Sequence, residues 1–268
     1  MPQTDCIPRL PGRPWIWFDL DDTLWDFRGN SLIALDDVYR HFDLGRLWPH
    51  STLWFDVYHR VNDELWQTYS RGEIQRDYLR MERFRRPLVS AGCTDAEARR
   101  LSTLMDSYYL GLLARMGTTV DGALPLLRRV HPSYNIGVLS NGFAEVQYGK
   151  MDSAALTPLI DCVVLSDEIE VNKPDSRIFD HACAKAHTCP EMCLMIGDNP
   201  DTDIAGAVGA GWKAIYFCPR ADEANLLDFR ARFPSVPTVA SLSALGVADT
   251  AADARKTPFS GLIVKKST

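Results

Sequence analysis

The sequence is poor in the features that mark several large protein classes. No apolar run in its 268 residues approaches the roughly 20 positions of a bilayer-spanning helix, which argues against a helical membrane protein and a membrane partner. Positive charge is short: 29 Lys and Arg against 35 Asp and Glu leave a formal net charge of −6, which argues against a broad nucleic-acid footprint. The seven cysteines (Cys6, Cys93, Cys162, Cys183, Cys189, Cys193, Cys218) contain no C-x-x-C pair, and the six histidines form no ligand-like cluster. A zinc centre of the usual spacing is not expected; reduced, packed thiols in a cytoplasmic setting are. No segment repeats, so a solenoid or propeller is not expected. Residues 1–14 hold Pro2, Pro8, Pro11 and Pro14 without the apolar centre of a secretory signal, and they read as a flexible lead-in.

What the chain does have is 46% hydrophobic residues, enough for a full core in one large domain or two smaller ones. Trp15-Ile16-Trp17-Phe18 runs straight into Asp19, Asp21 and Thr23, as a short strand buried on both faces would. From about 30 to 116 every signal is helical. Leu32, Leu35, Val38, Tyr39 and Phe42 share one face, with Asn30 or Ser31 as N-cap. Trp54, Val57, Tyr58, Val61, Leu65, Trp66 and Tyr69 share a second, closed by Gly72. Ile74, Tyr78, Met81, Phe84 and Leu88 form a third. A Thr94/Glu97 capping box precedes a fourth with Leu101, Leu104, Met105, Tyr108, Leu112 and Leu113. After 117, apolar runs at 136–139, 162–165, 193–196, 213–217 and 236–239 alternate with helices. This rhythm predicts an α/β fold, a doubly wound parallel sheet over 15–29 and 117–248 with an inserted all-helical domain over 30–116. Residues 249–268 lack periodicity and are expected to be a disordered tail.

The carboxyl ends of parallel strands share one edge, where open α/β sheets bind ligands. That edge collects Asp19, Asp21, Ser140, Asn141, Lys173, Asp198, Asp201 and Asp203. Residues i and i+2 of an extended segment point the same way, which turns Asp19 and Asp21 toward one pocket. So many carboxylates at low dielectric repel one another unless a cation sits among them. Oxygen donors without His or Cys suit Mg²⁺, which keeps several waters and accepts a phosphate oxygen. Lys173 adds a positive charge, and Ser140 with its neighbouring N–H groups adds donors. The set reads as a phosphate site with a metal and a carboxylate nucleophile.

Asp19-x-Asp21-x-Thr23, Ser140-Asn141-Gly142, Lys173-Pro174 and Gly197-Asp198 with Asp203 resemble, in order, the four motifs of the haloacid dehalogenase-like (HAD) phosphohydrolases. The helical insert resembles that superfamily's C1-type cap, and the resemblance runs from Trp15 to Val239. It implies that Asp19 attacks phosphorus to form an aspartyl-phosphate. It implies that Asp21 protonates the leaving alkoxide and then deprotonates the hydrolytic water. Mg²⁺ would be held by Asp19, the main-chain carbonyl of Asp21 and Asp198, while Ser140, Asn141 and Lys173 bind the phosphoryl oxygens. Asp203, with Asn199 beside it, would orient Lys173 or a metal-bound water. An acid at the position of Asp21 marks the phosphatases of the superfamily and is missing from its dehalogenases.

A narrower resemblance is to the pyrimidine 5′-nucleotidase branch, carried by Trp25-Asp26-Phe27, residues 62–69 with Gly72, and Ser140-Asn141-Gly142-Phe143. It implies a small phosphomonoester, a nucleoside 5′-monophosphate such as dUMP, UMP or dTMP. Asn62, Trp66 and Tyr69 are the candidate contacts to the group beyond the phosphate. One residue departs from the pattern: Glu170 stands where that branch has Gly, and a positive φ there would strain it. Several residues have plainer readings. Asp22 reads as a turn group facing away, Asp201 as a loop or capping acid, and Asn199 equally as a turn residue. Trp54, Tyr58, Trp66 and Tyr69 read first as core between helices, and the arginine-rich stretch 76–86 as a solvated helix face. The function expected is an Mg²⁺-dependent phosphomonoesterase. The alternatives are a sugar-phosphate or other small-metabolite phosphatase and, more remotely, a phospho-accepting signalling domain without turnover.

Overall fold

The computed structural model describes Cys6, residues 8–247 and residues 258–264. They divide into two compact units: Met1–Asp26, Gly117–Ala144 and Ala154–Thr268 form one, Phe27–Met116 and Glu145–Ser153 the other.

The first unit is built on a parallel sheet of β1 (Trp15–Phe18), β2 (Asn135–Ser140), β3 (Cys162–Leu165), β4 (Cys193–Gly197), β5 (Lys213–Phe217) and β6 (Thr238–Val239). The strands lie in the order β3-β2-β1-β4-β5-β6. Every residue of β1, β2 and β4 is buried, which is why these strands read as unbroken apolar runs rather than as alternation. The chain leaves β1 toward β2 and β3 and then returns to β1's other side as β4. Strand order therefore reverses at β1, and the crevice outside its carboxyl end is where such sheets hold ligands.

In chain order the α-helices are α1 (Phe27–His41), α2 (Ser51–Ser70), α3 (Arg76–Ser90), α4 (Asp95–Leu113), α5 (Ala123–Val130), α6 (Ala144–Ser153), α7 (Ser166–Ile169), α8 (Ser176–Lys185), α9 (Ala205–Gly209) and α10 (Glu223–Arg232). The helical unit consists of α1–α4 and nearly all of α6. Gly149 lets α6 approach α4 closely, since a Cβ there would stand 2.9 Å from the side chain and carbonyl oxygen of Ala114. Trp54, Tyr58, Phe84 and Tyr109 are fully buried and form the aromatic centre of this unit. The Thr94 hydroxyl caps α4 by accepting from Glu97 N, as its spacing predicts. No helix among the described residues is long and apolar enough to cross a membrane.

Several expectations are corrected. α1 begins at Phe27, so Asn30 and Ser31 lie inside it; both are buried, and the Ser31 hydroxyl bonds the Tyr109 hydroxyl at 2.7 Å instead of capping. On α4 the buried face runs through Tyr109, with Leu104 exposed. The stretch 76–86 is not a solvated face: Arg83 is 3% exposed and gives Nε–H to Asp106 Oδ1 at 2.9 Å, while Arg80 holds Oδ2 at 2.7 Å. The guanidinium of Arg83 also stacks near Phe84 and Tyr109, a setting that suits its planar, weakly hydrated cation.

Described residues of the lead-in and of the tail also make ties that their composition does not announce. Cys6 is joined to Cys162 by a disulfide, which replaces the expected pair of thiols. Arg9 binds Asp161 and the Tyr134 carbonyl, and Leu10 exchanges hydrogen bonds with the Asn135 side chain. These polar ties hold a proline-rich segment in which the described residues form no helix or strand. In the tail, β8 (Leu262–Val264) pairs antiparallel with β7 (Leu245–Val247). Three residues are too few to give a periodic signal, and the partner strand was not read either. Residues 1–5, 7, 248–257 and 265–268 lie outside the described set.

Candidate active site

The candidate site lies wholly in the sheet unit, at the carboxyl ends of β1, β2 and β4. Asp19 directly follows β1, and its N–H continues the ladder by donating to Ile196 O at 3.0 Å. Ser140 closes β2, and Asp198 follows β4. Lys173 arrives on the loop between α7 and α8. It is 2% exposed, and its ammonium donates to Asp19 Oδ1 (2.6 Å), Asp203 Oδ1 (2.7 Å) and Leu139 O (2.7 Å). An ammonium has three hydrogens. All three are engaged, which fixes the lysine against the Asp19 carboxylate.

Asp203 sits in the turn Pro200–Ile204 and is 1% exposed. Its Oδ1 takes Lys173, and its Oδ2 accepts from Asn199 N at 3.0 Å. Only glycine fits at 197, because a Cβ there would come within 2.2 Å of Asp203 Oδ2. The Asn199 side chain does not reach the cluster. Its Oδ1 accepts from Asp201 N and Thr202 N, so it is the cap of this turn. Asp201 points outward and pairs with Arg232. Asp22 adopts φ 59°, and Arg220 stands 3.4 Å from it, a partner that sequence reading missed. Thr23 is fully buried, and its hydroxyl donates to Asp198 Oδ1 at 3.4 Å.

Oxygens of Asp19, Asp198 and Asp203 all lie within 4.8 Å of one another. The Asp19 carboxyl is raised to about 7: burial pushes it up most, Lys173 opposes the rise, and Asp203 and Asp21 add to it. Burial likewise holds Asp198 well above the carboxylate range, with Asp19, Asp203 and Asp22 adding to the effect and Lys173 opposing it. For Lys173, burial works against the charge, but Asp19 and Asp203 outweigh it and raise its proton affinity. Fully ionised, three carboxylates against one ammonium leave two negative charges, and the raised proton affinities of Asp19 and Asp198 express that excess. An all-oxygen donor set with that deficit fits a divalent cation such as Mg²⁺.

Asp21 lies two residues past Asp19, in the turn whose N–H and C=O groups close on Leu20 and Trp25, and its charge is felt at Asp19. Ser140 is buried, and its hydroxyl accepts from Gly142 N at 3.2 Å. Asn141 turns its side chain to the main chain of Lys173, donating from Nδ2 to the carbonyl at 3.0 Å and accepting the N–H at 2.8 Å. Glu170 does adopt the left-handed conformation, φ 55° and ψ 33°, which costs a non-glycine residue about 1–2 kcal/mol. In the helical unit, Asn62 is 2% exposed while Trp66 and Tyr69 are half-buried and meet edge to face at 5.5 Å.

The strand order and the buried carboxylates at its reversal define a Rossmann-like α/β enzyme. The chain belongs to the haloacid dehalogenase-like hydrolase family, whose model matches residues 15–211. It is similar to the pyrimidine 5′-nucleotidase YjjG of Escherichia coli, 29% identical over 201 residues that cover 74% of this chain and 82% of that protein. It is similar to the pyrimidine 5′-nucleotidase PynA of Streptococcus pneumoniae, 27% identical over 207 residues, 76% of this chain and 84% of the relative. Among solved structures, magnesium-bound YfnB of Bacillus subtilis has a TM-score of 0.75 at 23% identity, covering 86% of this chain and 96% of that one. A 2-haloacid dehalogenase from Pseudomonas syringae has a TM-score of 0.57 at 25% identity over 86% of this chain and 95% of its own.

Proposed function

We propose that this hydrolase is an Mg²⁺-dependent phosphomonoesterase that acts on nucleoside 5′-monophosphates, with pyrimidine nucleotides as the preferred class. The observation that carries the reading is the buried cluster in which Lys173 holds Asp19 while Asp198 and Asp203 stand within 4.8 Å. Asp19 is the nucleophile. Its Oδ1 is held by Lys173, and Oδ2 attacks phosphorus to form an aspartyl-phosphate. Asp21 gives its proton to the leaving oxygen and then takes one from the water that opens the intermediate. Ser140 supplies a hydroxyl at the phosphoryl oxygens, and Lys173 offsets the charge that builds on them. Asp203 keeps the ammonium in place, its Oδ1 accepting from Lys173 at 2.7 Å. Mg²⁺, held by Asp19, Asp198 and the Asp21 carbonyl, would supply Lewis-acid stabilisation of the transferring group.

The two nucleotidase relatives support the nucleotide, and the helical unit is the proposed cap that selects it, with Asn62, Trp66 and Tyr69 as contacts. A cytoplasmic setting is part of the proposal; five cysteines without a disulfide partner support it, and the Cys6–Cys162 bridge counts against it. The test is phosphate release from purified protein over a panel of nucleoside monophosphates and sugar phosphates, with Mg²⁺ and with EDTA. The expected result is metal-dependent turnover with highest kcat/KM on a pyrimidine nucleotide. Higher kcat/KM on sugar phosphates would replace the substrate class, and no turnover on any phosphomonoester would refute the reaction.

A further inference from the structure

Lys173 lies in neither a strand nor a helix, yet its ammonium must reach three acceptors at 2.6–2.7 Å at once. Something must fix the height of its backbone. The peptide groups of a buried residue need partners, and those of Lys173 find both in one side chain: N–H to Asn141 Oδ1 at 2.8 Å, and C=O from Asn141 Nδ2 at 3.0 Å. This pairing allows a single orientation of the amide, because the N–H requires the oxygen and the carbonyl requires the nitrogen. A second tie joins the neighbouring helix starts: Asp167 in α7 accepts from the N–H of Ala144, the first residue of α6, at 3.1 Å. The segment that follows β2 and the segment that follows β3 are thus pinned to each other at two points.

We propose that Asn141 is a positioning residue: it grips the main chain of Lys173 and so holds the ammonium on Asp19, rather than binding the substrate phosphate. The inference rests on the phosphatase reading for its kinetic consequence but not for its structural one. Misplacing a group at the reacting centre by about 1 Å costs on the order of 10²-fold in rate. Asn141→Ala is therefore expected to lower kcat on p-nitrophenyl phosphate by on the order of 10²-fold. KM and inhibition by inorganic phosphate should each move by less than about twofold. In a Lys173→Met background the same Asn141→Ala change should cost less than about twofold, because the group it positions is gone. Hydrogen exchange at the Lys173 amide should accelerate in Asn141→Ala. It should stay slow in Asn141→Asp, which keeps the acceptor and loses only the donor and serves if the alanine variant does not fold.

A rise in KM and in the phosphate inhibition constant with kcat intact would overturn the proposal, since that is the signature of a direct phosphate contact. Additive losses in the double variant, or unchanged amide exchange in Asn141→Ala, would also overturn it. A wild-type protein that releases no phosphate refutes the proposed function alone; the exchange measurement then decides the clamp by itself.

Discussion

Replacing Lys173 with methionine keeps the bulk of the side chain and removes one buried positive charge. Three carboxylates whose oxygens lie within 4.8 Å of one another are left without their cation, and the Leu139 carbonyl loses its donor. Breaking a buried ion pair from one side costs about 3–5 kcal/mol. At roughly 2–4 °C per kcal/mol for a chain of this size, the metal-free variant should melt about 6–20 °C below the wild type. Asp19 is already raised to about 7, chiefly by burial, with Lys173 opposing, so proton uptake there relieves part of the repulsion and favours the lower end of that range. The diagnostic quantity is the response to Mg²⁺. A divalent cation entering a site that has become more negative gains more, so the Mg²⁺-induced rise in Tm should be larger in Lys173→Met than in the wild type. Turnover should fall by about 10²–10³-fold, the usual cost of losing one donor aimed at developing charge. Melting curves in EDTA and in saturating Mg²⁺, beside phosphate release, measure all three. A destabilisation under about 1 kcal/mol, or a Mg²⁺ response equal to or below that of the wild type, would refute the charge argument.

Asp21→Asn should slow hydrolysis of an alkyl phosphomonoester by about 10²–10⁴-fold and let a phosphoenzyme accumulate, visible as an added phosphoryl mass on the peptide that holds Asp19. Equal slowing of alkyl and activated aryl esters, without such a species, would count against the acid–base role. Arg83→Met should destabilise the helical unit by about 3–5 kcal/mol because it leaves the buried Asp106 short of its main partner, whereas the exposed Arg177→Met, at 70% side-chain exposure, should cost less than about 1 kcal/mol; denaturant unfolding compares them. Thiol titration of the denatured, unreduced chain should find five thiols, and seven would remove the Cys6–Cys162 bridge.

What could be read from the sequence follows from where the information sits. Asp19, Ser140 and Asp198 are legible because each ends or follows an apolar run, and a parallel sheet brings all such ends to one edge. The strained turn at Glu170 was legible for a related reason, since a backbone conformation restricts residue type wherever it occurs. The side-chain bonds of Asn141 were not, and for Asn199 the turn reading stood only level with its alternative. Both are short amides next to motif residues, and both spend their side chains on main-chain groups that no spacing reveals. The Arg83–Asp106 pair joins two helices 23 positions apart, and the Cys6–Cys162 bridge spans 156. Such pairings are set by tertiary packing, and composition gives them the appearance of a solvated face or of odd, unpaired thiols.

The fold does not choose the reaction, since a 2-haloacid dehalogenase shares it at a TM-score of 0.57. The choice lies in what happens to the leaving group. A halide departs as a stable anion and needs no proton. The alkoxide of a phosphate ester is a strong base, and it departs readily only if an acid within reach protonates it. A carboxyl two residues beyond the nucleophile therefore has a task in ester cleavage and none in dehalogenation. Asp21 stands there, close enough that its charge raises the proton affinity of Asp19. The same closeness has a cost when the nucleophile must be ionised, and Lys173 opposes it with an ammonium fixed at 2.6 Å. In the proposed mechanism acid and lysine make a consistent pair: one would serve the departing oxygen, and the other favours the ionised form of Asp19 beside it.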